Sequence, residues 1–343
     1  MTSSLLVRAG AILGAFALAL SAAACSSPSP SGSAPADDSE TYETVRIGWH
    51  TGTELRFYAA QALGTFDDIG LPVEFVRFND GPSKNLALQA GEIDVAFSGT
   101  PGFLVALQAG VDAKVIALEG ASDLANKIVV NSETIGSVED LRGKTIGVSL
   151  GTTGWLTVKA ALEQVGLSLA DVELKNLTTS QMVPAFTRGE VDAVSTWAPI
   201  TYLLEEAGAE ELITEKQAGM PDPELWFARS EWLTDHPEEA TKFIEALDHG
   251  TDLLESERSQ VAREIASIMA VSEPHALRIL DEVPTPALAD TVDYMESDEL
   301  EADILFIHGE LVEGEFIDAT ALPESAVAGR VDSSLLRSYL DAK

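Results

Sequence analysis

Residues Ala90 to Gly99 read Ala-Gly-Glu-Ile-Asp-Val-Ala-Phe-Ser-Gly, and residues Arg188 to Trp197 read Arg-Gly-Glu-Val-Asp-Ala-Val-Ser-Thr-Trp. In each copy, a glycine that tolerates a positive φ follows an apolar helical pattern and ends the helix. The aspartate then opens an apolar strand, and small or hydroxyl side chains stand at its far end. That far end is where ligands bind in open α/β sheets. The repeat therefore predicts two similar lobes.

Strands and helices alternate on both sides of the repeat. The pattern runs along residues 45–118, begins again near residue 138 and continues to residue 206. Such alternation predicts mainly parallel sheets with crossover helices. Two further extended runs, Lys127–Val130 and Glu224–Ala228, bracket the second unit and are predicted to be the strands of a hinge. The fold class predicted is α/β, with two lobes, each a mainly parallel sheet flanked by helices, joined by a two-strand hinge.

The first 24 residues have the pattern of an export signal, and Cys25 follows them. One basic residue precedes an apolar run that is shorter than the ~20 residues of a membrane-spanning helix. Three alanines lead to Cys25, the only cysteine of the chain. This junction resembles the lipobox of bacterial lipoproteins, which implies a lipid on Cys25. The alternative is a plain signal peptide with an incidental cysteine.

The signal sets the domain boundaries and the location that the sequence predicts. Residues 25–43 are rich in Ser, Pro, Ala and Asp, and predict a disordered tether. Residues 44–127 and 224–343 are predicted to form a discontinuous first lobe with a helical C-terminal part, and residues 128–223 a second lobe. The predicted location is the extracytoplasmic face of the cell membrane, held by the lipid anchor.

The composition excludes several classes of function. Twenty-one Lys and Arg stand against 56 Asp and Glu, a formal net charge of −35 in 343 residues, which repels nucleic acid. The five histidines show no metal spacing, and there is no glycine-rich phosphate loop or Gly-x-Ser-x-Gly motif. We therefore predict a monomer with no metal, no cofactor and no catalytic residues. An enzyme of the same fold and a structural lipoprotein are the rival classes.

Several motifs, in order from about residue 44 to residue 247, resemble those of the substrate-binding proteins of ABC importers for nitrate, sulfonates and taurine. They are Thr51-Gly-Thr-Glu54, Phe78-Asn-Asp-Gly81, Gly91-Glu-Ile-Asp94, Ser137 to Lys144, Gly151-Thr-Thr153 and Thr196-Trp-Ala-Pro199. The resemblance implies a type II periplasmic-binding-protein fold, whose cleft closes on a small molecule. It also implies an ABC permease and its ATPase as partners.

Four of these features are more similar to the taurine branch: Glu54, Thr152-Thr153, Trp197 and the segment Glu224 to Trp226. The matching segment of that branch has Asp where this chain has Glu224. Taurine joins an ammonium to a sulfonate, so its site needs carboxylates on one side. Glu54 and Glu224 are the candidates. The alternatives are a helix N-terminal charge for Glu54 and an exposed turn carboxylate for Glu224.

The anionic end of such a ligand needs neutral donors. The segments Ser98-Gly99-Thr100 and Thr152-Thr153 each precede a helix, where free backbone N–H groups, the helix dipole and hydroxyls bind an oxyanion. The alternative is ordinary helix capping.

Three further residues complete the candidate site. Trp155 and Trp197 are predicted to pack over the carbon chain or ammonium of the ligand, or else in the core or hinge. Thr51, at the end of the first strand, is included as well. The sequence thus predicts a solute-binding lipoprotein for taurine or a related amino-sulfonate. The alternative ligands are alkanesulfonates, nitrate or a pyrimidine precursor of thiamine.

Overall fold

The structure is a computed structural model, and it describes residues 42–78, 81–121 and 126–343. The predicted export signal, the lipidation site Cys25 and almost all of the tether lie outside these residues. So do Asn79 and Asp80 of one family-like motif. Within the described ranges, no helix is long and apolar enough to cross a membrane.

The strands of the described residues form two five-stranded sheets. The first sheet has the order β2-β1-β3-β10-β4, and the second has the order β7-β6-β8-β5-β9. In chain order the strands are β1 Val45–Trp49, β2 Val73–Arg77, β3 Val95–Gly99, β4 Ala113–Ala121, β5 Lys127–Val130, β6 Thr145–Val148, β7 Glu173–Asn176, β8 Ala193–Thr196, β9 Glu210–Thr214 and β10 Pro223–Arg229.

Both sheets are mainly parallel, as predicted, and each contains one antiparallel strand. In the first sheet β1 is parallel to β2 and β3, whereas β10 is antiparallel to β3 and β4. The second sheet repeats this arrangement, with β6 parallel to β7 and β8, and β5 antiparallel to β8 and β9. The antiparallel strands are the two runs predicted as hinge strands. In chain order each of them follows a strand of the other sheet, since β5 comes after β4, and β10 comes after β9 and the short helix α8.

Helices cover the sheets and form most of the C-terminal third. They are α1 Leu55–Ala62, α2 Thr65–Asp68, α3 Gly81–Gln89, α4 Thr100–Gln108, α5 Thr153–Gln164, α6 Thr179–Thr187, α7 Ile200–Glu206, α8 Glu215–Ala218, α9 Ser230–Asp235, α10 Pro237–Ser256, α11 Arg258–Met269, α12 Glu273–Glu282, α13 Leu288–Glu296, α14 Asp298–Glu313, α15 Glu324–Val327 and α16 Ser334–Ala342. Two 3₁₀ turns, Val138–Leu141 and Leu169–Asp171, join elements of the second sheet.

The repeated motif has the same structural role in both sheets. Its glycines, Gly91 and Gly189, have φ values of 71° and 67°, the left-handed conformation that ends a helix. The aspartate three residues later accepts a backbone N–H from the neighbouring parallel strand through its carboxylate. The pairs are Asp94 with Arg46 at 3.0 Å and Asp192 with Thr145 at 2.9 Å. The motif thus sets where each central strand begins.

The C-terminal helices touch both sheets. Helices α13 and α16 contact β4 of the first sheet, whereas α12 reaches the second. Lys127 of β5 is buried and pairs with Glu211 at 2.8 Å, and also with Glu282 of α12 at 3.1 Å. Arg278 of α12 pairs with Glu205 of α7. The C-terminal helices therefore pack against the first sheet through α13 and α16, and form ion pairs with the second lobe through α12.

The packing of α1 on α10 yields a test of the fold. A methyl group added at Gly250 of α10 would lie 2.1 Å from the backbone oxygen of Arg56 in α1. Because backbone must move to admit it, Gly250→Ala should lower the free energy of unfolding by about 1–3 kcal/mol. Urea unfolding of the purified protein measures this change.

Gly309 of α14 is the matched control, because no atom lies within 4 Å of a methyl group added there. Gly309→Ala should be neutral or stabilising by up to about 1 kcal/mol, since alanine favours helix over glycine. Equal effects of the two substitutions would contradict the close contact between α1 and α10.

Candidate functional site

The predicted site residues follow the carboxyl ends of the parallel strands. Thr51 and Glu54 follow β1, and Ser98 to Thr100 end β3 and begin α4. In the second sheet, Thr152 and Thr153 follow β6, and Trp197 follows β8. This is the edge at which open α/β sheets bind ligands.

Helix α1 is fixed at its first turn by a buried ion pair. Arg56 and Glu119 of β4 are almost completely buried, and Arg56 Nε lies 3.2 Å from Glu119 Oε2. The other carboxylate oxygen of Glu119 accepts the backbone N–H of Arg56 at 2.9 Å. The indole N–H of Trp226 donates to the same carboxylate at 2.8 Å. A carboxylate from β4 thus caps the start of α1.

Glu54 therefore does not cap the helix that it precedes. Its side chain is fully buried, and neither carboxylate oxygen has a hydrogen-bond partner among the described residues. Burial raises the pKa of Glu54 to about 8, against the opposing effects of the nearby Tyr58 hydroxyl and Lys84 ammonium. Burying a carboxylate without a hydrogen-bond partner costs free energy. A ligand group that donates a hydrogen bond to Glu54 would reduce this cost.

Glu224 lies at the same edge of the first sheet as Glu54. Thr53, the residue before Glu54, donates a hydrogen bond of 2.5 Å from Oγ1 to Glu224 Oε2, and Glu224 is 8% exposed rather than an exposed turn residue. Because β10 is antiparallel to β3, Glu224 is the register partner of Gly99 at the end of β3. The two carboxylates predicted from the sequence therefore both stand near the carboxyl ends of β1 and β3.

The starts of α4 and α5 face each other, although they belong to different sheets. A methyl group added at Gly99 would lie 3.2 Å from Thr153 Oγ1 and 3.4 Å from Asp222 Oδ1. The N-cap residues of the two helices are Gly99 and Thr152, and neither helix has a side-chain cap. Two uncapped helix N-termini, with their dipoles, thus converge near Glu224.

Several predicted hydroxyls bond to the protein itself. Thr100 Oγ1 donates to the carbonyl of Pro223 at 2.9 Å, and Thr152 Oγ1 donates to the carbonyl of Ser149 at 2.7 Å. Thr51 Oγ1 accepts from Arg77 at 2.8 Å. The hydroxyl of Ser98 packs against Gly102, where an added methyl group would meet it at 2.0 Å. These residues shape the strand ends, and their contact with a ligand stays a prediction.

The two tryptophans differ in their surroundings. Trp155 is 3% exposed, and its ring packs edge-on against Phe316 with centroids 4.8 Å apart. This is the packing role that the sequence left as an alternative. Trp197 is only half-buried and precedes the cis peptide bond between Ala198 and Pro199. Of the two rings, Trp197 is the one with a surface open to a ligand.

Sequence reasoning missed a group of buried polar residues at the same edge. Lys84 of α3 is fully buried beside His50, and Thr196 has a buried hydroxyl without a hydrogen-bond partner in the described part of the chain. A signal existed for Lys84, because it lies one helical turn before the buried Leu88. The signal for Thr196 was its place at the end of the repeated strand.

A second buried carboxyl pair lies close to Glu224. Asn126 donates to Glu215 at 2.6 Å and to Asp222 at 2.7 Å. Burial, followed by the charge of Asp222, raises the pKa of Glu215 well above its ordinary value. Over the described ranges, no group of His, Cys, Asp and Glu side chains is arranged to hold a metal ion.

Comparison with known sequences places the chain in a family. The profile of the family described as NMT1/THI5 like matches residues 53–257, more than half of the chain. The chain belongs to the NMT1/THI5-like family.

Proteins similar in sequence to this chain include proteins described as binding proteins. A binding protein of Brucella abortus is 32% identical over 218 residues, which are 61% of this chain and 66% of that protein. The taurine-binding periplasmic protein of Escherichia coli is 32% identical over 206 residues, 59% of this chain and 63% of that protein. These matches span slightly less than two thirds of the relatives' own lengths.

Solved structures confirm the fold. The periplasmic aliphatic sulphonate binding protein SsuA of Escherichia coli superposes with a TM-score of 0.69 at 22% identity, covering 80% of this chain and 88% of that chain. The NMT1/THI5-like chain therefore has the two-lobed periplasmic-binding-protein fold, as the sequence predicted.

The pKa of Glu54 gives a test that needs no ligand. Because folding raises this pKa from 4.5 to about 8, the native state binds more protons than the unfolded state between these values. Its stability therefore falls as the pH rises through this window. Glutamine does not titrate, so the melting temperature of Glu54→Gln relative to the wild type should rise from about pH 5 to about pH 8.

Glu74→Gln serves as the control, because Glu74 is an exposed residue of β2 in the same sheet. Thermal unfolding of the three proteins at several pH values measures the effect. A Glu54→Gln profile parallel to that of the wild type would contradict the burial of an unpartnered carboxylate.

Proposed function

We propose that this chain is an extracytoplasmic solute-binding lipoprotein of an ABC importer. It binds taurine or a closely related amino-sulfonate between its two lobes and delivers the ligand to a permease driven by a separate ATPase. It acts by binding and release rather than by catalysis. Cys25 carries the lipid that anchors it to the membrane.

The observation that carries this proposal is the pair of buried acids at the carboxyl edge of the first sheet. The Glu54 carboxylate has no hydrogen-bond partner among the described residues. Thr53, the residue before it, donates a hydrogen bond to Glu224. An ammonium group donates up to three hydrogen bonds and compensates negative charge. A primary ammonium is thus the ligand group that this pair of carboxylates favours.

The sulfonate end has a separate set of donors. The uncapped starts of α4 and α5 approach each other at Gly99 and Thr153. Backbone N–H groups at helix N-termini bind oxyanions without a cationic side chain. Because one helix belongs to each lobe, an anion held by both favours the closed arrangement.

The carboxylates and the helix N-termini together explain how a protein of net charge −35 could bind a ligand with an anionic group. The global field repels anions, so anion binding must depend on local donors. A zwitterion carries no net charge, and the field therefore neither attracts nor repels it strongly. The same argument disfavours nitrate and unsubstituted alkanesulfonates as main ligands.

A thermal-shift series tests the ligand class. Ligands that bind the folded state raise its melting temperature with concentration. We expect taurine and hypotaurine to shift the purified protein, and ethanesulfonate, nitrate and glycine betaine to shift it little. A shift with ethanesulfonate or nitrate but not with taurine would keep the binding fold and remove the ammonium role of the two glutamates.

Calorimetric titration of variants tests the residues. Glu54→Gln and Glu224→Gln should each weaken taurine binding more than tenfold, because a charged hydrogen bond contributes about 1.5–3 kcal/mol. Glu92→Gln, at an exposed position in the same lobe, should leave the affinity unchanged. Wild-type affinity in Glu54→Gln would rule out its contact with an ammonium.

A further inference from the structure

Lys84 is a lysine whose side chain is completely buried at the predicted site. It lies in the first turn of α3, which begins after β2 at the carboxyl edge of the first sheet. Its ammonium contacts the middle of β3 and the residue that follows β1. It donates to the backbone oxygen of Phe97 in β3 and lies 3.1 Å from Nδ1 of His50, which follows β1.

Both of these partners are neutral. Burial, and then the charge of Lys84, lowers the pKa of His50 well below its ordinary value, so its imidazole accepts a hydrogen bond without carrying charge. No carboxylate of the described residues forms an ion pair with Lys84 within 4.0 Å. The two contacts satisfy two of its three N–H groups. They leave its positive charge without an adjacent counter-charge.

Glu54 is the complementary case at the same edge. It is completely buried, and both of its oxygens lack a hydrogen-bond partner among the described residues. The two groups influence each other, since burial lowers the pKa of Lys84 to about 8 while Glu54 opposes that change. They are thus a buried acid and a buried base that form no ion pair with each other within 4.0 Å.

A buried acid and a buried base are both satisfied by a ligand that carries one positive and one negative group, because a nearby cation favours the ionised form of the acid. A ligand with an ammonium and an anionic group on one short chain can place its ammonium toward Glu54 and its anionic group toward Lys84. A bare amine leaves Lys84 uncompensated, and a bare sulfonate leaves Glu54 uncompensated. An uncompensated buried charge is heavily penalised.

We propose that Lys84 is the cationic contact of the ligand site and restricts it to short zwitterions that join an ammonium to a sulfonate or similar oxyanion. This inference rests on the proposed function, and it adds a charged side chain to the neutral donors of α4 and α5. The contrasting role for Lys84 is bracing of β3 through the carbonyl of Phe97. That role affects stability but does not rank ligands by charge.

Calorimetric titration with taurine, ethanesulfonate and ethanolamine separates the two roles. These probes carry both charges, only the anion and only the cation. In Lys84→Met, which keeps the length of the side chain, taurine should bind about tenfold more weakly or worse. Ethanolamine should bind more tightly than it does to the wild type. Lys84→Gln retains a hydrogen-bond donor without the charge, and should show the same change in ranking.

Lys114→Met is the matched control, because Lys114 pairs with Asp332 at the surface of the same lobe. It should leave all three affinities unchanged. Circular dichroism and melting temperatures establish whether each variant is folded. If Lys84→Met does not fold, the test uses Lys84→Gln.

Folded Lys84 variants that rank the three probes as the wild type does would overturn the role of Lys84 while leaving taurine binding intact. If the wild-type protein binds none of the probes, the proposed function fails, and the inference fails with it. Weaker binding of taurine together with stronger binding of ethanolamine supports the cationic contact.

Discussion

The ion pair between Arg56 and Glu119 is the interaction on which the site depends. It is buried on both sides, and it joins α1 to β4, to the indole of Trp226 in β10 and, through the backbone oxygen of Pro286, to the C-terminal helices. Breaking such a pair leaves an uncompensated buried charge, which costs several kcal/mol. Because Glu119 accepts the N–H of Arg56 in the first turn of α1, the Glu54 side chain does not take the capping role that its position would otherwise give it. One carboxylate thus stabilises the helix, and the other has no hydrogen-bond partner among the described residues.

The antiparallel course of β10 brings the rest of the site together. A strand that returned through a crossover helix would enter in parallel, with its acidic start at the opposite edge of the sheet. The antiparallel course instead places Glu224 opposite Gly99, where α4 begins. Asp222 and Thr153 also lie at that point. The strand predicted for the hinge thus also carries Glu224 of the candidate site.

The sequence predicted those parts that local patterns determine, and missed those that distant contacts decide. The Gly-Glu-aliphatic-Asp repeat sets local helix ends and strand starts, so the positive φ of Gly91 and Gly189 and the strands that follow them could be predicted from it. The short edge strand β9 was missed because its first two residues are exposed glutamates. The burial of Lys84 depends on Phe97 and His50 of other elements, and the packing of Trp155 depends on Phe316, far along the chain. The spacing of Lys84 to Leu88 marks only the helix face on which Lys84 lies and not its partners, and a lysine in a helix ordinarily faces solvent.

The C-terminal helices affect how easily the two lobes can move apart. Lys159 of α5 pairs with Glu310 of α14 at 2.6 Å, close to the contact between Trp155 and Phe316. On the other side of the molecule, α12 holds the second sheet through Arg278 and Glu282. Separation of the lobes at either place must break ion pairs and expose apolar rings. A ligand shifts such an equilibrium only by its difference in affinity for the two arrangements. The contacts of α12 and α14 with the second lobe therefore contribute to this equilibrium independently of any ligand.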